Sequence, residues 1–549
     1  MPSRTVNWDS LTPLLQEWAK SISDHAPVVL RGTRVAFFIL AALFLLALWR
    51  SASRPASKHA TATPSIFPFV ALCGVAILLY QATWQLAGFA RPEFIAFMRR
   101  HSHRAANPAT EHSRGKILDR NATILASDDP ATPGRRLYPL GPACAHLVGY
   151  ADPMYGLTGL EAADDRALSG AGTEAFADWK SFSQGLLDHD KSAGNDLQLT
   201  LDARLQSRAI ELLAGRPGAV VGIRPADGAI LLLASSPSFD PNRVDPARLN
   251  KQANTPMFNR ALQGRYAPGS TFKIITACKA IEAGFSGKID CPAAGYTPPG
   301  YKRPIRDHEY FEAQRRGTTW PGHGLLGLDK AFERSSNVFF ARLATQLGPA
   351  ALDDIASRFG FNRRITLFQG STGNLAAEPS AFPNLTSERP GETAQVAIGQ
   401  GKLAVTPLQM ALVVAAIAND GVMMTPRCQT NAPPTVLAQA TTPAAAKRVA
   451  RLMRGSVLGG TSRGANIPQV EIAGKTGTAQ KNAGEKDNSW FVCFAPYEKP
   501  ELALAVIVEG GGFGAQSALP VAVDLMRLAA KQGWSTPPAA TPPPPGDTQ

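Results

Sequence analysis

Leu502 to Val508 is an unbroken apolar run of strand length, and Ala219 to Ile223 and Ala229 to Ala234 are two more. Runs of this kind read as strands with little solvent on either face. Arg224-Pro-Ala-Asp-Gly228 separates the latter two and supplies turn residues, so the pair predicts a hairpin. Just upstream, Leu197 to Leu201 alternates as a strand, and Asp202 is placed to cap a helix over 202–213. Val470 to Ala473 and Trp490 to Ala495 predict further strands near the other end, followed by a last helix from about Pro520 to Lys531. From Ala261 to about Leu458 the patterns are helical. Strands at both ends with helices between them predict an α+β domain over 195–533. Its antiparallel sheet would be built from both ends of the domain and packed against a helical block.

The first third has a different character. Ile66 to Ala90 is uncharged and ends in the interface-suited aromatics Tyr80, Trp84 and Phe89. The run Val35 to Trp49 is shorter, with Arg31 and Arg34 just before it. Candidate membrane spans are therefore 35–49 and 66–87, within a transmembrane region 35–90 that follows an N-terminal tail, 1–34. Two spans would form a hairpin with Arg50, Arg54 and Lys58 on the cytoplasmic side, although Arg31 and Arg34 argue for an inside N-terminus. No small-residue cleavage site follows, which argues against a removable signal peptide. Residues 100–194 read as a polar, loop-rich module beside the membrane, and the Pro-rich end, 534–549, as a disordered tail.

Composition narrows the function classes. With 44% hydrophobic and 18% charged residues the chain is no disordered polymer. Its formal charge of +13 is spread along the chain, with local density at Arg99 to Arg104 and Lys302 to Arg316. That spread suits an anionic membrane or wall polymer, or equally a merely soluble surface, and not a nucleic acid, which would want clustered charge with interleaved aromatics. Six cysteines show no metal-ligand spacing, so no metal site is expected. A Cys278–Cys291 pair stays open, since spacing does not fix connectivity.

Three short elements could carry chemistry. Ser270-Thr-Phe-Lys273 opens an apolar helical run that Gly284 closes. Spacing i, i+3 puts Ser270 and Lys273 on one face, and burial would turn Lys273 into a usable base for the serine hydroxyl. Chance alone gives about two S-x-x-K matches in such a chain, and Ser113-Arg-Gly-Lys116 is read as one of these. Ser335-Ser336-Asn337 falls in a break between helical segments, where a hydroxyl and an amide two residues apart can face one cleft. A lone S-x-N is more often an ordinary helix cap. Lys475-Thr476-Gly477-Thr478 follows the strand Val470 to Ala473, with a charge and two hydroxyls to hold a carboxylate and a glycine to let a ligand approach.

The set, in the order S-x-x-K, S-x-N, K-T-G, resembles the penicilloyl-serine transferases. Arg114-Gly-Lys-Ile-Leu-Asp-Arg-Asn121, Leu157-Thr-Gly-Leu-Glu161, Ser236-Pro-Ser-Phe-Asp-Pro-Asn242, Ala397-Ile-Gly-Gln-Gly401, Thr406-Pro-Leu-Gln-Met410 and Trp490-Phe491 are similar to stretches of class B penicillin-binding proteins. The likeness covers about residues 112–530. It implies a penicillin-binding/β-lactamase-like transpeptidase fold behind a membrane-proximal pedestal, with the catalytic domain outside the bacterial cytoplasmic membrane. It also implies peptidoglycan D,D-transpeptidation through a Ser270 acyl-enzyme without metal or cofactor. Lys273, Ser335, Asn337 and Lys475 would be catalytic, Thr476, Gly477 and Thr478 substrate-binding, and the backbone N–H groups of Ser270 and Thr478 the oxyanion hole. Implied partners are stem peptides ending in D-Ala-D-Ala, β-lactams, the membrane and a polytopic glycan polymerase of the shape, elongation, division and sporulation family. The two-span N-terminus departs from the single anchor usual in that family.

Alternatives stay open at this point. A D,D-carboxypeptidase uses the same residues with water as acceptor. A β-lactamase needs a deacylating base, and Glu378, Glu388 and Glu392 are expected in Pro/Gly-rich loops. A non-catalytic β-lactam-binding scaffold or sensor would keep the site without turnover.

Overall fold

The computed structural model describes residues 113–132, 134–170, 194–468, 470–480 and 485–534. These fall within one of the chain's two compact units, 104–170 with 192–549. Among them no helix is long and apolar enough to cross a membrane. Both candidate spans, the N-terminal tail and the Pro-rich end beyond Trp534 lie outside the described residues.

The pedestal part is built on very short strands. β1 (Ile117–Leu118), β2 (Ile124–Asp128) and β3 (Arg136–Leu137) form a sheet with β4 (Leu197–Gln198), in the order β3-β2-β1-β4. So little regular structure leaves side chains to hold it together, and the motif residues do so. Glu161 is fully buried and accepts hydrogen bonds from Arg114 Nε at 2.7 Å, Arg136 Nε at 3.0 Å and Tyr138 Oη at 3.3 Å. Arg114 also reaches Asp165 at 2.7 Å. Asp119 ties the motif to the next domain, accepting from Asn121 N, Thr123 N and Ala203 N. Asn242 clamps the Tyr138 backbone from the other side, through both its amide oxygen and its amide nitrogen.

Ala203 opens helix α1 (Ala203–Leu213), capped as expected by the Asp202 carboxylate, which accepts from Arg204 N and Leu205 N. The main sheet follows: β5 (Gly218–Ile223), β6 (Ile230–Ser236), β7 (Ala473–Ala479), β8 (Asn488–Ala495) and β9 (Leu502–Val508), ordered β7-β8-β9-β5-β6 and antiparallel throughout. The N-terminal hairpin β5-β6 thus joins the C-terminal meander through the β9–β5 pairing, the two-ended sheet the pattern predicts. The continuous apolar runs follow from burial of both faces. On β9, Leu502, Leu504, Val506 and Val508 enter one hydrophobic cluster, while Ala503, Ala505 and Ile507 enter the other. Helix α5 (Pro407–Ala418) packs on the face with the larger cluster, and α1 with α7 (Ala518–Lys531) packs on the opposite face. Between sheet halves the chain forms the expected helical block, which includes α2 (Lys273–Glu282), α3 (Leu328–Arg334), α4 (Asn337–Leu347) and α6 (Pro443–Gly459). Fold and class are mixed α/β with an antiparallel sheet.

Two local expectations change. Strand β7 begins at Ala473, so Lys475 to Thr478 lie inside the strand and not after it. Polar residues suppressed the strand signal there because β7 is an edge strand whose outer side faces a cleft. Glu392, expected in a loop, sits in the first turn of the helix Pro390–Ala397. The thiols of Cys278 and Cys291 are buried and free.

Candidate active site

Pro268 and Gly269 lead into a single 3-10 turn, Gly269–Phe272, which runs directly into α2. Gly269 has φ of 56°, and a Cβ there would meet Thr478 O at 2.4 Å. Gly399 makes a comparable approach from behind: its N–H neighbour Gly269 donates to Gly399 O at 2.9 Å, and a Cβ on Gly399 would come within 1.9 Å of Gly269 O. Gly477 leaves room for Thr271 Cγ2 and Pro268 O, so the glycine of K-T-G admits the serine-bearing turn as well as lining the cleft. Trp490, fully buried, donates Nε1 to Ala267 O at 3.0 Å and fixes the approach to the turn. These contacts bring the glycine and tryptophan motifs beside Ser270 and press its turn against β7.

Ser335 ends α3 in the left-handed region, with φ of 59°. A non-glycine residue rarely holds this conformation, and its surroundings must over-determine it. Its carbonyl accepts from Lys273 Nζ at 2.6 Å, and its hydroxyl lies 2.8 Å from Lys475 Nζ and 3.4 Å from Lys273 Nζ. Asn337 opens α4, accepting from Lys273 Nζ on Oδ1 at 2.7 Å and donating Nδ2 to Arg306 O at 3.1 Å. Two lysines, the Ser335 hydroxyl and the Asn337 amide therefore share one network, with Ser270 lining the cleft beside it. Ser336 acts as the ordinary cap of α4, accepting from Phe339 N, so the helix-cap function and the cleft-facing function coexist in one tripeptide.

Both lysines are fully buried. Burial pulls the Lys273 ammonium down to about 7, against the raising effect of the Asp307 and Glu309 carboxylates. Burial and then the neighbouring Lys273 charge push Lys475 well below its ordinary value. Aromatic faces of Phe340 and Phe332 lie 5.6 and 5.7 Å from the two nitrogens. Two ammonium groups facing one hydroxyl cannot both stay charged comfortably, so the pair titrates as one system with a proton acceptor available near neutrality.

Above this network opens a cleft of about 760 Å³, lined among others by Ser270, Ser335, Asn337, Thr476, Gly477 and Thr478. Lys273 and Lys475 lie beneath the lining, both against Ser335 and Lys273 also against Asn337. Thr476 N donates to Ser462 Oγ on the outer side of β7. Strand alternation then turns the N–H of Thr478 to that same side, beside the Ser270 turn. Thr476 Oγ1 donates to Thr461 Oγ1 at 2.9 Å, and Thr478 Oγ1 accepts from Gly514 N.

The structure thus brings together every residue singled out in the three motifs, while Ser113 and Lys116 lie exposed in extended pedestal chain. Sequence reasoning missed Asp307, Thr461 and Ser462. Asp307 is buried, caps α4 by accepting from Asn337 N and Val338 N, and accepts from Ser336 Oγ at 3.0 Å. Nothing local could signal an acid that caps a helix thirty residues downstream. Glu378 and Glu392 are occupied by Arg364 and by Arg389 and Lys402, and neither lines the cleft.

Residues 218–527 match the family model described as the penicillin binding protein transpeptidase domain, and 114–196 match the penicillin binding protein A dimerisation domain. The chain is 33% identical over 447 residues to peptidoglycan D,D-transpeptidase MrdA of Acinetobacter baumannii, covering 70% of this chain and 65% of that relative's length. It is 32% identical over 438 residues to peptidoglycan D,D-transpeptidase PbpA of Mycobacterium tuberculosis, covering 73% and 85%. Among solved structures, the ceftriaxone acyl-enzyme of M. tuberculosis penicillin-binding protein A aligns with a TM-score of 0.66 at 28% identity, covering 76% of this chain and 99% of that one. Pseudomonas aeruginosa PBP2 in complex with WCK 5153 aligns at 0.63 and 31%, covering 79% and 99%. With more than half its length in that domain and its three motifs converging on one cleft, the chain belongs to the penicillin-binding protein transpeptidase family.

Proposed function

We propose that this chain is a peptidoglycan D,D-transpeptidase that works through a Ser270 acyl-enzyme and is acylated by β-lactams at the same serine. One observation carries the reading: Ser335 Oγ sits between two buried lysines of lowered proton affinity, in the cleft that Ser270 lines. Relatives named peptidoglycan D,D-transpeptidases and β-lactam acyl-enzyme structures support it.

In the proposed reaction Ser270 Oγ attacks the carbonyl joining two terminal D-alanines, and its proton passes to neutral Lys273. The oxyanion is held by the N–H groups of Ser270 and Thr478. Ser335 passes a proton to the departing D-alanine nitrogen, with Lys475 and Lys273 as its proton sources. Asn337 holds the stem backbone, and Thr476 and Thr478, with the charge of Lys475 behind them, hold the terminal carboxylate. An amine from a neighbouring stem then attacks the ester, releases Ser270 and forms the cross-link. The chemistry asks for neither metal nor cofactor.

The residues preceding the pedestal would anchor the chain in the bacterial cytoplasmic membrane, leaving the cleft outside. The apolar runs within 35–90 support this, and by family resemblance they would dock on a polytopic glycan polymerase. Membrane fractionation and co-purification in detergent test these two points.

Membranes carrying the protein, incubated with a fluorescent penicillin, should give a stable labelled band that Ser270→Ala abolishes. An undiminished band in Ser270→Ala would remove the serine from the mechanism. No band in wild type, with free β-lactam consumed, would mean rapid deacylation; no band and no consumption would mean a binding site without turnover.

A further inference from the structure

We infer that Arg306 is a specificity-determining residue that reads a second carboxylate on the donor stem, carried by the residue just before the terminal D-alanine pair. The inference rests on the transpeptidase reading above and deepens it.

Three observations lead there. First, Arg306 is tied to the substrate-holding amide, because its carbonyl accepts Asn337 Nδ2 at 3.1 Å. If Thr476 and Thr478 take the terminal carboxylate and Asn337 takes the backbone upstream of the scissile bond, Arg306 stands beside the next residue. Second, its guanidinium is held in place before any substrate arrives. It stacks on the Tyr310 ring at 4.1 Å and donates Nε to Ala294 O at 3.3 Å. A stacked guanidinium loses less freedom on binding than a free side chain, and its remaining N–H groups form a fork suited to a carboxylate. Third, Arg306 lines the cleft yet has no ion-pair partner among the described residues.

The local field points the same way. Lys302, Arg303, Arg306 and Arg334 line the cleft, against Glu309 and Asp487 as the acids. Glu309 lies 3.5 Å from the His323 imidazole, whose proton affinity it raises. A wall with this balance favours a stem whose side chain ends in a free carboxylate over one ending in a plain amine. That side-chain carboxylate would accept the Arg306 fork while the terminal carboxylate sits on β7, giving the stem two anchored ends.

The test uses the full-length protein in detergent and two synthetic pentapeptide stems ending in D-Ala-D-Ala. They are identical except at the residue before that pair, which is diaminopimelate in one and lysine in the other. Release of D-alanine gives kcat/KM for each, and benzylpenicillin labelling counts the acylatable sites in every sample. The expected wild-type preference for the diaminopimelate stem is about tenfold, the size of one charge-assisted hydrogen bond at a half-exposed site. Arg306→Gln should bring the ratio close to one, Arg306→Lys should leave it in between, and Arg306→Glu should invert it. Because the ratio is taken within each protein, a general loss of activity divides out. A wild-type ratio of one, or a ratio unchanged in Arg306→Gln, overturns the inference while leaving transpeptidation intact. Absence of both penicillin labelling and D-alanine release would instead overturn the reading on which it rests.

Discussion

The pedestal and the cleft each bury a cluster of charge, and they treat it in opposite ways. Around Glu161, two arginines, a tyrosine and Asp165 alternate sign at hydrogen-bond distance. Burial alone would lower the proton affinity of Arg114, but the Glu161 and Asp165 carboxylates outweigh it and raise it. Around Ser335, two like-charged lysines are buried together, and no carboxylate touches either nitrogen among the described residues. Their proton affinity falls instead. A compensated cluster holds shape and resists titration, whereas an uncompensated one stores a proton acceptor at neutral pH. Burial alone therefore does not distinguish a structural charge from a chemical one; the sign of the nearest neighbours does.

The largest way to break this comparison is at Lys273. Lys273→Ala should slow penicillin acylation by about a thousandfold, measured by stopped-flow or timed gel labelling, because it removes the proton acceptor. The folded fraction should stay high, since the substitution also removes a group that burial disfavours. Acylation within tenfold of wild type would show that Ser270 is activated by another group. Glu161→Ala should do the reverse. It leaves Arg114 and Arg136 buried without their shared carboxylate, at a cost of about 3–5 kcal/mol of stability in denaturant titration. The molecules that remain folded should label at the wild-type rate. A loss of labelling in folded molecules would mean that the pedestal cluster reaches the cleft chemistry.

Much of the fold was legible because β5, β6, β8 and β9 are buried on both faces, so their apolar runs have no competing pattern. The cap at Asp202 was legible because it acts within three residues. β7 is almost as buried and was misplaced for a different reason. Its outer edge is given to the cleft, so Lys475 and Thr476 replaced the apolar residues that mark a strand. The three cleft motifs could be read as a set because each one is local. What joins them is not local. Asp307 caps a helix that starts thirty residues later, and Ser462 meets Thr476 across the edge of the sheet. Gly399 matters only because Gly269, far upstream, packs against it. Contacts of this range leave no periodicity or spacing in the sequence.

The smallest test is the pH dependence of acylation. The lysine pair must be short of a proton to accept one from Ser270, and its proton affinity is depressed to a value for Lys273 of about 7. The acylation rate should therefore rise about tenfold per unit below pH 7 and level off above about pH 8, as for any single deprotonation. The Asp307 and Glu309 carboxylates raise the Lys273 value, so Glu309→Gln should move the rising limb to lower pH. His323 complicates the assignment, because the Glu309 carboxylate 3.5 Å away raises the proton affinity of the imidazole above its ordinary value. The profile should accordingly be repeated in His323→Gln. A limb that persists there belongs to the lysines, and the uncompensated cluster is then the proton acceptor. A limb that vanishes belongs to the imidazole, and the contrast between the two buried clusters would no longer explain the chemistry.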